Sequence, residues 1–358
     1  MAVSTGYGAA ALLALALAMT PAAAGAVETA GKADKPVAET TILPGPEPAP
    51  KPMKPLPAPT DSVDPQRFGG GNGDGAIDPD RFGDRSDPAF GAFQRGLYIT
   101  AYNLALPRAQ NGNAAAQTLV AEILSRGLGM ARNEKEAANW YALAAEQGVP
   151  EAQFQYALML IDGNYTKRDP QAAYALMQAA AEAGNRLAQF NFAQMLVERN
   201  PGEKGLEKAV PYYERAATSG LADAQYAMAQ LYANGAGGKK LDEAEARRFL
   251  LLSAKQNYDT AQLDLGTWLI NGRGGERDEK EGFNWLHRAA MGGNAAAQNR
   301  LGKLYMNGIG TEPDSISAAA WFILARRAGL FDPVMEDFFD GLTDEEMKQA
   351  LQRANRLR

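Results

Sequence analysis

The sequence predicts an all-α protein: a right-handed α-solenoid of six helix-turn-helix repeats with helical caps, preceded by a disordered N-terminal region. Three observations carry that expectation. The first is a period. Ala-Gln recurs as Ala116-Gln117, Ala152-Gln153, Ala188-Gln189, Ala224-Gln225, Ala261-Gln262 and Ala297-Gln298, at intervals of 36, 36, 36, 37 and 36 residues. A fixed period of this size marks stacked supersecondary units. The second is phase. Five residues after each Ala stands a small residue (Ala121, Ala157, Ala193, Ala229, Gly266, Gly302), and eleven after it stands Gly127, Gly163, Gly235, Gly272 or Gly308, with Arg199 as the exception. The third is composition. Of the 358 residues, 46% are hydrophobic and much of that is Ala, which suits close-packed helices and not a sheet-rich core.

The elements follow in chain order. Residues 8–27 are almost wholly apolar around Leu12, Leu13, Leu15, Leu17 and Met19, and Ala24-Gly25-Ala26 has the form of a signal-peptidase site. A secretory signal over residues 1–26 is expected, with a periplasmic or secreted mature chain. The alternative is an uncleaved anchor that leaves the protein facing the periplasm, since the run approaches the ~20 residues that span a bilayer. Pro21 and the Ala-rich centre favour cleavage, and the only membrane contact expected is a transient one through residues 8–27. Residues 27–87 read as a Pro/Gly-rich linker, with Pro44, Pro46, Pro48, Pro50, Pro52, Pro55, Pro57 and Pro59 in close succession. Such a segment favours extended polyproline II and forms no core.

Residues 88–112 read as one capping helix. The repeats are placed at 113–148, 149–184, 185–220, 221–257, 258–293 and 294–329. In each, helix A starts at an N-cap such as Asn113, Asn185, Asp259 or Asn294 and ends at the Gly eleven residues past the Ala. Helix B follows a polar loop, where Asn133 with Glu136 and Asp278 with Glu281 resemble capping boxes. It carries an aromatic or long apolar pair, from Trp140-Tyr141 to Trp321-Phe322, and then small residues such as Ala144-Ala145. Gly112, Gly148, Gly184, Gly220, Gly293 and Gly329 close the units, with Asn257 as the one substitute. Repeat 3 carries Arg199-Asn200-Pro201-Gly202 in its loop, so an altered turn is expected there. A C-terminal cap over 330–358 is expected to hold a helix at 343–356, begun by Thr343 and Glu346. Phe331, Phe338 and Phe339 are expected to cover the last repeat.

Composition also excludes functions. With Lys+Arg 36 against Asp+Glu 42, a net charge of −6 argues against nucleic-acid binding, which needs surplus cations to replace counterions. No Cys and one His leave no thiolate chemistry and no multi-histidine metal site. The Asn72-to-Ile77 stretch imitates an EF-hand loop, but Gly70 and Arg81 stand where its first and twelfth ligands belong. No metal and no cofactor are expected. His287, the sole imidazole, lies beside the helix B signature with no local nucleophile motif, so it reads as a packed or surface side chain.

The pattern A-Q-x-x-x-[GA]-x-x-[LY]-x-x-G, a loop, then A-x-x-W-[YF]-x-x-A-A and Gly resembles the Sel1-like repeat, a relative of the tetratricopeptide repeat. The resemblance covers about 113–329. It implies a non-enzymatic scaffold or adaptor that binds other proteins through its concave face. Exported bacterial members regulate envelope signalling or surface assembly, and others act on host proteins. Some cysteine-rich members were proposed to bind or hydrolyse β-lactams, and this chain lacks their cysteines. The expectation is a protein partner in the cell envelope, with a secreted effector of host proteins or a cell-wall or β-lactam hydrolase as alternatives. In the tetratricopeptide register, the residue after each Gln points to the groove: Thr118, Phe154, Phe190, Tyr226, Leu263 and Asn299. The aromatic members either form a stripe for a partner or pack between A helices; helical spacing favours packing. A second row, Arg126, Asp162, Glu198, Asn234, Asn271 and Asn307, either contacts a partner or caps helix A beside the loop.

Overall fold

The structure is a computed structural model and describes residues 87–357. The leader expected over 1–26, and all of the 27–87 linker except Asp87, lie outside the described residues. Among the described residues there are 16 α-helices and no strand. Helices α1 (Pro88–Gln94) and α2 (Tyr98–Gln110) come first. Six A–B pairs follow: α3 (Ala114–Arg126) with α4 (Glu134–Glu146), α5 (Pro150–Asp162) with α6 (Pro170–Glu182), and α7 (Arg186–Arg199) with α8 (Glu203–Thr218). Then come α9 (Ala222–Asn234) with α10 (Glu243–Lys255), α11 (Asp259–Asn271) with α12 (Glu279–Met291), and α13 (Ala295–Asn307) with α14 (Ser315–Arg327). Helices α15 (Pro333–Asp340) and α16 (Asp344–Arg356) end the chain. Through α14 each helix packs mainly on its sequence neighbours, and α16 packs on α14; this is the arrangement of an α-solenoid in which no unit buries its apolar face alone.

Local chemistry sets the boundaries. In five repeats helix A stops at a left-handed Gly, with φ of 63° at Gly127, 71° at Gly163, 62° at Gly235, 69° at Gly272 and 67° at Gly308, a conformation without Cβ penalty only for glycine. Helix B then starts at Asn133, Asp169, Asp242, Asp278 or Asp314, each side chain accepting a first-turn backbone N–H. The same residue donates its own N–H back to helix A: Asn133 to Leu124, Asp169 to Leu160, Asp242 to Tyr232, Asp278 to Leu269 and Asp314 to Tyr305. That bond explains why Asn133 and Asp278 do not form full capping boxes. Their N–H groups are already committed, so Glu136 and Glu281 cannot take them. Thr343 has no such loop behind it and does form a reciprocal box with Glu346. The 37-residue interval arises in the loop of repeat 4, where one more residue separates Gly235 from Asp242 than separates Gly272 from Asp278.

Repeat 3 breaks this scheme. Its helix A runs on to Arg199, Asn200 and Pro201 replace the Gly turn, and helix B starts at Gly202 without a side-chain cap. Gly202 lies at φ 95°, and Gly205 presses on the Asn200 carbonyl so closely that a Cβ would sit 1.8 Å from that oxygen.

The core runs between A and B helices. Ala121, Ala157, Ala193 and Ala229 are buried, and so are Tyr141, Met177, Tyr213, Leu250, Leu286 and Phe322, the second members of the helix B pairs. In repeat 5 the approach is closer still. A Cβ on Gly266 would come within 2.8 Å of the Gly282 carbonyl oxygen, and one on Gly282 within 2.7 Å of that of Gly266.

Three sequence expectations need correction. Residues 88–112 form two helices, parted at Arg95–Leu97 where Gly96 turns at φ 76°. Asp259 is the first helical residue of α11 and not its N-cap; that place belongs to Tyr258, whose side chain makes no cap bond. Phe331 is 73% exposed and covers nothing. Phe338 and Phe339 do pack against the last repeat, Phe339 edge-on to Phe322 at 5.9 Å. Among the described residues Asn257 is the one non-glycine residue with positive φ, at 63°, a conformation that Asn tolerates better than most residues.

Candidate functional site: the A-helix face

The Gln of each Ala-Gln pair fixes the A helices in place. All six are buried, and each donates its side-chain amide to a carbonyl at the end of the preceding helix. Gln117 bonds Ala109 (3.1 Å), Gln153 Ala145 (3.4 Å), Gln189 Ala181 (3.2 Å), Gln225 Ala217 (3.2 Å), Gln262 Ala254 (3.1 Å) and Gln298 Ala290 (3.2 Å). Each of these carbonyls also accepts the backbone N–H of the residue three positions on, from Gly112 to Gly293, so the Gln amide adds a donor from the next helix to a helix end. Two of the Gln side chains also accept, Gln117 from Gln147 and Gln225 from Gln256, each at 2.7 Å. Gln189 has no such donor, and its Oε1 is buried without a partner.

On this frame the groove row divides. Phe154 and Phe190 keep only 6% and 5% of their surface exposed and belong to the core; Phe190 tilts against Tyr213 at 5.7 Å. Phe154 also borders a cavity at the N-terminal end with Phe90, Phe93, Leu119, Tyr141 and Leu187. The other four are half-buried. Thr118 bonds its own helix at Ala114, Leu263 packs beside repeat 6, and Asn299 donates to Asp332 in the C-terminal cap at 2.7 Å. The loop-side row is exposed throughout. Arg126 pairs with Glu122, while Asn234 and Asn307 donate back to Gln230 and Lys303 of their own helices. Asp162 and Glu198 sit at the mouth of a cavity.

That cavity lies between α5 and α7, near the C-terminal ends of both, with Met177 and Pro170 from α6 and Arg168 from the loop before it. Its volume is about 250 Å³. Leu158, Ile161, Met177 and Met195 give it apolar walls, and Asn191, Gln194 and Arg199 add polar groups. The Arg199 guanidinium stacks 3.7 Å above the centre of the Tyr174 ring, a cation–π contact that fixes its position. Gln194 is 5% exposed, and its Nε2 has no acceptor.

A second polar cluster occupies the same face in repeats 4 and 5. Tyr226 donates its hydroxyl to Asp264 at 2.9 Å, and Gln230 donates its amide to the same carboxylate oxygen at 3.2 Å. The Tyr226 and Tyr258 rings lie 5.2 Å apart. Burial raises the Asp264 pKa above the ordinary carboxylate value, against the hydrogen bonds and the charges of Arg300 and Arg273. Burial and the Asp264 charge together push the Tyr226 hydroxyl upward. The sequence row that hides these positions is readable in retrospect. Six residues past the Ala stand Glu122, Leu158, Gln194, Gln230, Thr267 and Lys303, and the two Gln side chains are the ones that matter.

His287 is wedged between aromatic rings, 6.1 Å from Phe283 and edge-on to Trp321 at 5.7 Å, and burial lowers its pKa. Among the described residues, no group of three or more His, Cys, Asp or Glu side chains is placed to hold a metal ion, and no helix is long and apolar enough to cross a membrane.

Comparison with known proteins agrees with this architecture. Six consecutive segments match the Sel1 repeat: residues 114–149, 150–185, 187–221, 222–258, 260–294 and 295–330. A Sel1 repeat protein from Oxalobacter formigenes is similar in structure, with 26% identity, a TM-score of 0.58, and coverage of 67% of this chain and 97% of that one. So is c5321, a protective antigen of uropathogenic Escherichia coli with an SLR fold, at 27% identity and a TM-score of 0.50. The alignment with c5321 covers 73% of this chain and 64% of that structure. No curated protein sequence matches the chain. With matched units over more than half its length, the chain belongs to the Sel1-repeat family, whose members mediate protein–protein interactions.

Proposed function

We propose that this protein is a non-enzymatic scaffold of the cell envelope that holds a protein partner on its concave, A-helix face. The observation that carries the reading is the composition of that face in repeats 2 to 5. It joins an apolar cavity to exposed Asp162 and Glu198, and it continues past Tyr226, Gln230 and Asp264. A rigid array that presents alternating apolar and polar groups over several repeats suits an extended partner better than a small substrate. The apolar leader and the Ala24-Gly25-Ala26 site send the chain across the inner membrane, and the proline-rich stretch tethers the solenoid.

The similarity to c5321, a protective antigen, favours a second reading in which the chain reaches the cell surface or the medium and binds host proteins.

One experiment separates them. The full chain with a C-terminal tag is expressed in its own host, cells are fractionated, and partners are crosslinked and identified by mass spectrometry. A discrete partner in the soluble envelope fraction supports the scaffold. Recovery from the medium with no envelope partner supports the second reading. Cytoplasmic retention of an unprocessed chain overturns both.

A further inference from the structure

We propose that the cavity between α5 and α7 is a pocket for one aliphatic or methionine side chain of a partner peptide, and that the neighbouring peptide carbonyl accepts the Gln194 amide. The proposal rests on the scaffold reading and specifies where the partner is gripped.

The size points to a side chain. A volume of about 250 Å³ falls below the roughly 300–1,000 Å³ of pockets that enclose drug-sized molecules. The walls point to an unbranched or aliphatic group, because Leu158, Ile161, Met177 and Met195 surround it and methionines adapt their shape to apolar guests.

An apolar hollow alone names no occupant; Gln194 supplies the second observation. Its Nε2 is buried and lacks an acceptor, an arrangement that native interiors avoid. Gln230 at the equivalent position bonds Asp264, so the unmet donor is particular to repeat 3. A carbonyl brought in beside the inserted side chain satisfies it.

The mouth points to peptide over lipid or polyanion. Asp162 and Glu198 stand there with Arg168 and Arg199, so both signs of charge are present, as suits a neutral, dipolar backbone. Arg199 takes the place held by glycine in the other five repeats, and its ring contact with Tyr174 holds it there. The break in the repeat pattern and the pocket are thus one feature.

The test reads the pocket directly. The full chain is labelled at methionine methyl groups and titrated with blocked pentapeptides, acetyl-Gly-Ser-X-Ser-Gly-amide, with X as Leu, Met, Ala or Asp. The Leu and Met peptides are expected to shift the Met177 and Met195 methyl resonances saturably, and the Ala and Asp peptides not to. Gln194→Leu is expected to weaken binding about tenfold, the loss of one hydrogen bond, while melting no lower than the parent. Leu158→Trp fills the cavity from its half-buried edge and abolishes the response.

The proposal is overturned if no peptide shifts either methyl up to ~1 mM, if the Ala peptide does so equally, or if Gln194→Leu binds as the parent does. It is also overturned if hexanol shifts both methyls and no peptide does, which assigns the pocket to small apolar ligands. Peptides that fail while the parent chain still captures an envelope protein refute the pocket alone. Peptides that bind to a chain found without envelope partners refute the scaffold reading alone.

Discussion

Gln194 and Gln230 occupy the same place in consecutive repeats, six residues past the Ala of the Ala-Gln pair, yet their amides end differently. Gln230 reaches Asp264 in the next repeat. The residue in register with Asp264 one repeat earlier is Ala227, which offers no side-chain acceptor, and the Gln194 amide stays unmet. The contrast extends to the neighbouring Gln side chains. Gln225 both donates to Ala217 and accepts from Gln256, whereas Gln189 donates only. It extends to the loops as well, since helix A of repeat 4 ends at Gly235 in the left-handed conformation and helix A of repeat 3 at Asn200. Two of the buried polar atoms without a partner, Gln189 Oε1 and Gln194 Nε2, lie in this one irregular repeat. Where the repeat pattern lapses, polar groups are left over and a cavity opens, the combination expected where binding has displaced packing.

The largest effect that would break this comparison lies in the two connections between helix A and helix B, first helix B turn included. A Cβ at Gly205 would strike the Asn200 carbonyl at 1.8 Å, while one at Gly238 meets nothing nearer than 3.9 Å. Gly205→Ala is expected to destabilise by about 3 kcal/mol. Gly238→Ala, strained only by its φ of 74°, is expected to lose about 1 kcal/mol, both read from chemical denaturation. Next come the junction glutamines. Gln225→Leu removes two hydrogen bonds, one to the Ala217 carbonyl and one from the Gln256 amide, and is expected to lose about 2 kcal/mol. Gln189→Leu also removes an orphaned oxygen, so its loss should be nearer about 1 kcal/mol.

The sharpest contrast is one of sign. Gln194→Leu removes a buried donor that has no acceptor and is expected to raise stability by about 1 kcal/mol; Gln230→Leu, which breaks a bond to a charged group, is expected to lower it by about as much. Equal losses in both variants would show that Gln194 is satisfied after all.

The smallest effect concerns pH. Burial raises the Asp264 pKa, so the folded chain holds this proton where the unfolded chain has released it. Stability therefore falls as pH rises from about 4 through the raised folded value, and is level above it. Asp264→Asn keeps an oxygen for Tyr226 and Gln230 but nothing to ionise. It is expected to melt above the parent at pH 7, with the difference closing below about pH 4. A constant difference at all pH values would remove ionisation as its cause.

Most of the solenoid was legible because its signals are local. The left-handed closures at Gly127, Gly163, Gly235, Gly272 and Gly308 follow from the absence of a side chain, and repeat 3 announced its altered turn through Arg199-Asn200-Pro201-Gly202. The misreadings were also local in origin. Asp259 looks like an N-cap, but cap and first-turn positions both favour Asp. The single helix expected over 88–112 overlooked Gly96, whose turn is available to any glycine and required of none. The site was less legible. Phe154 and Phe190 follow Gln as a groove residue should, but whether a ring fills the core or faces outward depends on how much room the neighbouring repeat leaves. The pairing of Gln230 with Asp264 spans two repeats, and the orphaning of Gln194 is visible only as the lack of such a pairing.

The six Gln-to-carbonyl bonds are arranged in series along the solenoid, each joining a helix pair to the one before it. Mechanically the molecule is therefore a chain of hinges, and in a stack of nearest-neighbour units the weakest joint fails first. The joint between repeats 2 and 3 is expected to be that one, because Gln189 is only half satisfied and a cavity opens between the A helices of the same two repeats. Stretched between its two ends, the protein is expected to yield there and divide into a front pair and a rear quartet of repeats. Occupation of the hollow would stiffen the same spot, so that a bound partner is felt along the whole length of the spring.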